Sequence, residues 1–270
     1  MKPMDILNRI ESDFSAYLQQ MSREDLPILN RIESDFSAYL QQMSREDLPF
    51  AEKGKEKLWF RIYRTKGKRD FPLKKVAFMV LDYGLVWNKD DKTALDDDEL
   101  VVGCFKTIDE LPLPILALEA SMHIGKYDHL NIDLFPIVRD QRYKDTFCKP
   151  VQALHKKYTD LPDVPPGVIT PNLPEGSTSG GMLSGNFDAS LRDKTMPWWY
   201  AYLDMYRDFL ENRDTYPLLK EPAIIEEGKQ IRTMFLTNFA KSSPKILSDI
   251  PNLNTPERGV QLGELMFLDG

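Results

Sequence analysis

Two carboxylates interrupt runs that are otherwise apolar. Glu119 falls within Leu111–Gly125 (LPLPILALEASMHIG), and Asp133 within His129–Ile137 (HLNIDLFPI). A carboxylate on a covered sheet face is costly unless it is paired, protonated or used chemically. Such surroundings raise its proton affinity, which makes it a general acid able to protonate a substrate. The plainer reading of Glu119 is a half-exposed strand residue. Asp133 is a second candidate on the next strand, placed to face the same side. Other chemistries find less support. The three histidines, His123, His129 and His155, stand in no HExxH or paired-cysteine context, so no metal site is expected. His155, in QALHKKY, reads as a helix-surface residue. Cys104 and Cys148 are too few for a disulfide framework and fit a reducing compartment. No G-x-S-x-G element and no dinucleotide fingerprint after a strand is present.

The elements that must carry these residues change period along the chain. Leu58–Arg64, Leu73–Leu81, Leu100–Lys106, Leu113–Ser121 and Tyr127–Phe135 are short runs rich in Val, Ile and aromatics, separated by turn-rich pieces. No helix-length insert divides them, so consecutive strands should pair antiparallel as a meander. Tyr143–Thr159, Met196–Arg213, Ala223–Ala240 and Pro256–Phe267 read as helices. Strands followed by helices predict an α+β fold, a three-layer α/β/α sandwich with a central antiparallel sheet. Asp160–Asp188, dense in Pro, Gly and Ser, reads either as a long loop of the kind that covers or lines a binding site or as a disordered stretch.

The N-terminus carries a repeat. Ile6–Pro27 (ILNRIESDFSAYLQQMSREDLP) recurs letter for letter as Ile28–Pro49. Apolar residues three to four apart make each copy an amphipathic helix stopped by its proline. The expected organisation is therefore residues 1–49 as two identical 22-residue helical repeats (6–27 and 28–49), a duplicated N-terminal helix, followed by one domain over 50–270. Two undiverged copies do not make a solenoid, so one copy should pack on the domain and leave the other redundant.

Of 270 residues, 42% are hydrophobic and 29% charged, an ordinary globular composition with room for a sizeable core. The net charge of −7 argues against nucleic-acid binding, and no apolar run approaches the length of a membrane span. No charged-then-apolar leader opens the chain, so secretion is not expected. The total conceals an asymmetry. Segment 52–75 holds ten basic residues against three acidic ones, a net +7 that leaves −14 elsewhere. It reads either as a patch steering an acidic partner or as an edge strand kept soluble by its lysines.

The segment LPLPILALEASMHIGKYDHLNIDLFPIVRDQRYKDTFCKPVQALHKKY resembles the ferredoxin-dependent bilin reductases. KVAFMVLDYG, DELVVGCFKTIDELPLP, GKQIRTMFLTNFAKSSPKIL and GELMFLDG extend the likeness colinearly from Leu73 to Gly270. The resemblance implies that residues 50–270 form a single bilin-reductase-like domain, with a linear tetrapyrrole held between the sheet and the C-terminal helices. It implies ferredoxin-dependent reduction of biliverdin or dihydrobiliverdin to a phycobilin or phytochromobilin. Electrons would come singly from reduced ferredoxin, protons from acidic side chains, and no cofactor would be bound. Glu119 would stand at the family's proton-donating Asp and Asp133 on the polar side of the pocket, both as catalytic residues. Ser243, Asn186 and Arg192 would contact substrate, Ser243 where several members carry a second acid. Val102 would fall where phycocyanobilin-forming members use His. Ferredoxin would dock on segment 52–75, and a bilin-supplying enzyme or bilin acceptor would be a further partner. The expected compartment is the plastid stroma in an alga or plant, as the mature form, and otherwise the cytoplasm. Glu at the proton-donor position is shared with red chlorophyll catabolite reductases, an alternative activity. The missing second acid leaves a non-catalytic bilin carrier or lyase-like protein as the alternative from another class.

Overall fold

The computed structural model describes residues 27–53, 56–65, 71–83, 98–122, 127–159, 178–246 and 256–268. The first repeat copy and most of the long loop lie outside them.

Seven strands form one antiparallel sheet in sequence order: β1 (Met43–Lys53), β2 (Glu56–Thr65), β3 (Leu73–Tyr83), β4 (Asp98–Thr107), β5 (Ile115–Met122), β6 (Tyr127–Phe135) and β7 (Leu183–Asp188). The five expected strands are all present, within two residues at each end. The helices are α1 (Pro27–Asp35), α2 (Ser37–Leu40), α3 (Gln141–Tyr143), which runs through a π-turn (Lys144–Cys148) into α4 (Lys149–Thr159), α5 (Arg192–Glu211), α6 (Pro222–Ile246) and α7 (Pro256–Phe267). None among the described residues is long and apolar enough to cross a membrane.

Helices cover both faces of the sheet. Alternation along the strands places Tyr63, Phe78, Phe105 and Leu118 on one face, here called the front. There Phe36, between α1 and α2, lies 4.8 Å from Phe105, and α5 brings Tyr206 to 5.8 Å from the same ring. The back face carries Met79, Cys104, Glu119 and Phe135. Phe235 of α6 lies 4.8 Å from Phe135, and Lys75 of β3 donates to the carbonyls of Glu264 (3.4 Å) and Leu268 at the end of α7. This two-sided cover explains why β3 reads as an almost unbroken apolar run from Val76 to Val80, all 1% exposed or less.

Three sequence expectations need correction. The second repeat copy is helical only to Leu40, and from Met43 it becomes β1. Helical spacing alone does not decide there, because the free edge of β2 offers a row of hydrogen bonds. Pro49 suits an outermost strand, and the pairing slips between Pro49 and Ala51, so its missing N–H breaks no regular ladder. Leu183–Asp188, read as the end of the long loop, is the opposite edge strand. His155 is half-buried rather than on the helix surface, 5.4 Å from the Trp198 ring and with Nδ1 3.2 Å from the Tyr202 hydroxyl.

Candidate functional site

The antiparallel register assembles a polar ladder in the middle of the back face. Glu119 lies between Val102 of β4 and Asn131 of β6, His129 is opposite Asn186 of β7, and Asn131 is opposite Ser184. His129, Asn131 and Glu119 therefore project to one side. Asn131 Nδ2 donates to Glu119 Oε2 (3.3 Å) and reaches His129 Nε2 (3.2 Å). On its far side His129 Nδ1 is 2.6 Å from Asn186 Oδ1.

One tautomer satisfies these contacts. With Asn186 Oδ1 accepting, Nδ1 carries the proton and Nε2 accepts from Asn131. Nε2 and Glu119 Oε1 then face each other 3.9 Å apart. A proton on either atom makes that contact attractive, and once the two side chains close up the pair can hold one transferable proton. Glu119 is 36% exposed, so the plainer reading describes its burial. The ladder is a partly open strip between well-covered neighbours, with Met79, Cys104 and Phe135 each 3% exposed or less. Asn131 Oδ1 is buried and accepts no hydrogen bond among the described residues.

Asp133 has a different setting. It is fully buried, and its carboxylate accepts from the Ser179 N–H (2.9 Å) and hydroxyl. Burial pushes its pKa up to about 6 despite those bonds. Together with Gln152, which donates to Ser179 O (2.7 Å), and Tyr202, whose hydroxyl donates to Gly181 O, it fastens the segment just before β7. The backbone requires glycine here. Gly180 has φ +79°, and a Cβ on Gly181 would sit 2.7 Å from Val151 O. Asp133 thus anchors the end of the 160–188 loop, and its described hydrogen bonds do not join the Glu119 ladder.

A pH signature follows for Asp133. Its folded pKa lies above the unfolded value of about 3.9, so the folded protein keeps a proton that the unfolded chain has lost between about pH 4 and 6. Stability should fall by about 3 kcal/mol as pH rises through that window and level off above it. Denaturant midpoints at pH 4.5 and 7.5 should show this component in the parent and lose it in Asp133→Asn. An unchanged pH profile in the variant would assign the slope to other groups.

The remaining expected site residues divide. Asn186 belongs to the ladder through His129. Arg192 does not, because its Nε and Nη2 donate to Asp128 (2.9 and 2.6 Å), which is fully buried and shares its side of β6 with Leu130 and Ile132, on the front. Ser243 falls within α6, and its side chain lies outside the described residues. His129 and Asn131 were not singled out as site residues from sequence. Their signal was the alternation His129, Asn131, Asp133 along one strand, in step with Glu119 on its neighbour.

In segment 52–75 the edge-strand reading is corrected, since β2 is an interior strand, and the basic residues whose side chains are described have acidic or carbonyl partners. Arg61, 7% exposed, donates to Glu33 (3.0 Å) and Asp47 (2.7 Å). Arg64 bonds Glu46, Lys74 bonds Asp109, and Lys75 is buried beneath α7. Lys66, Lys68 and Arg69 lie outside the described residues.

No family model matches the chain, and no curated protein matches it. Among solved structures it is similar to the crystal structure of phytochromobilin synthase from tomato in complex with biliverdin. The TM-score is 0.62 at 12% identity, with 92% of this chain and 83% of that chain covered. At that identity the likeness is one of fold.

Proposed function

We propose that the chain is an oxidoreductase that binds a linear tetrapyrrole, biliverdin or a dihydrobiliverdin, over the back face of the sheet and reduces it with single electrons from ferredoxin. The observation that carries this reading is the Glu119–Asn131–His129–Asn186 ladder, a one-proton holder on a part-open strip facing the C-terminal helices. Reducing one double bond takes two electrons and two protons. Glu119 in its protonated form hands a proton to the bilin once an electron has arrived, and His129 reloads it for the second by taking a proton from solvent at Nε2 and passing it on as the two side chains close their 3.9 Å separation. A bilin in the tomato enzyme of similar fold supports the substrate class. Ser243 contacts the pigment from α6, and Asp133 holds the loop end beside it. Ferredoxin docks on basic residues of segment 52–75 other than Arg61, Arg64, Lys74 and Lys75.

Anaerobic incubation with biliverdin, reduced ferredoxin and a ferredoxin-reducing system, followed by absorbance, tests the reading. A bound pigment whose spectrum moves to that of a two-electron product is expected. A bound pigment that never changes identifies a bilin carrier. Turnover of red chlorophyll catabolite in place of biliverdin identifies the other tetrapyrrole reductase.

A further inference from the structure

The second repeat copy is a built part of the fold, held by both apolar and polar contacts. Ile28, Leu29, Ile32 and Phe36 are fully buried, and Phe36 packs on Phe105 and Tyr206. Glu33 receives Arg61 and the Tyr63 hydroxyl (2.5 Å), while Asp47 receives the other side of the Arg61 guanidinium. The groups on this seat that read the segment, among them Arg61, Tyr63, Phe105, Tyr206, Arg207 and the edge of β2, lie outside the repeat. Everything read lies inside it, and an identical set occurs 22 residues earlier, with Phe14 for Phe36, Glu11 for Glu33 and Asp25 for Asp47.

We propose that this seat is a docking surface for which the chain carries two ligands, and that residues 6–27 exchange with residues 28–49 within one molecule. Equal sequences make equal contacts, so only the flanks discriminate. Upstream, Pro27, the last residue of the first copy, starts the helix of the second at the one turn that tolerates proline, and Asp5 precedes the first copy as a capping residue type. Downstream, the seated second copy continues directly into Ala51–Lys53, which pair with Leu58, Lys57 and Glu56. The first copy, once seated, continues into Ile28 and reaches β2 through a connection 22 residues longer. Closing a longer connection costs only as the logarithm of its length. The second copy is therefore the major occupant and the first the minor one. A tether holds the spare copy at an effective concentration on the order of 1 mM, which outcompetes the same segment on other chains at micromolar protein.

Three full-length variants test the exchange: Phe14→Asp, Phe36→Asp and the double substitution. A carboxylate in place of the buried Phe36 ring evicts whichever copy carries it. Thermal unfolding of Phe14→Asp should match the parent. Phe36→Asp should melt only about 5 °C lower, because the first copy takes the seat, while the double variant should lose at least twice that or its cooperative transition altogether. Phe36→Asp and the double variant melting together would overturn the proposal. A Phe36→Asp midpoint that climbs with protein concentration would overturn it too, by placing the exchange between chains.

Discussion

Glu119→Gln should bind biliverdin as the parent does and turn it over at least about 100-fold more slowly, the usual contribution of a positioned general acid. The substitution keeps size and hydrogen-bonding reach, so Asn131 Nδ2 still finds an acceptor at 3.3 Å. What disappears is the proton site. A glutamine amide cannot take the proton from His129 Nε2 or release one to the bilin. Electron transfer does not need that proton, so the one-electron-reduced pigment should accumulate and appear as a long-lived radical absorbance after ferredoxin addition. His129→Gln separates delivery from resupply. It should slow turnover less than Glu119→Gln and make the remaining rate fall as pH rises, because protons then reach Glu119 only from solvent. Full turnover in Glu119→Gln would remove the ladder from the mechanism, whereas lost pigment binding in both variants would make it a binding site only.

The sequence displayed the interior of this fold better than its rim. Strands with neighbours on both sides and helices on both faces must be apolar along their length, and β3 to β6 announce themselves in that way. Edge strands meet a weaker demand. β1 tolerates Arg45, Glu46, Asp47 and Pro49, and β7 contains Gly185 and Asn186, so one was read as helix and the other as loop. The site divides along a similar line. Glu119 was visible because a charge inside an apolar run is conspicuous. His129 and Asn131 were not, because alternating polar residues look like an exposed strand face until the register shows that they share a side with Glu119. Charge was the least legible feature. Segment 52–75 reads as a basic surface, yet the partners that absorb Arg61 come from Glu33 and Asp47, and Lys75 is capped by carbonyls nearly two hundred residues away. A one-dimensional charge count cannot see long-range pairing.

That same lesson applies to Arg192, and the expected cost of removing it is large. Arg192 opens α5, where a cation opposes the helix dipole, so its position calls for a compensating anion. Asp128 is that anion. It is fully buried at the start of β6, and the two-pronged bond ties α5 to the sheet on the face away from the ladder. Arg192→Met would leave a buried carboxylate without the guanidinium, a loss of about 3 kcal/mol, the low end for a broken buried pair because the arginine side is itself 34% exposed. Replacing both partners, Arg192→Met with Asp128→Leu, should recover most of the loss, since it removes the charge that needs a partner. Denaturant titration of the parent, the single variant and the double variant measures both effects. Biliverdin affinity of the folded single variant should equal that of the parent if the pigment lies on the back face. A tenfold weaker affinity restored by neither substitution would instead return Arg192 to the substrate, as the hand that holds a propionate.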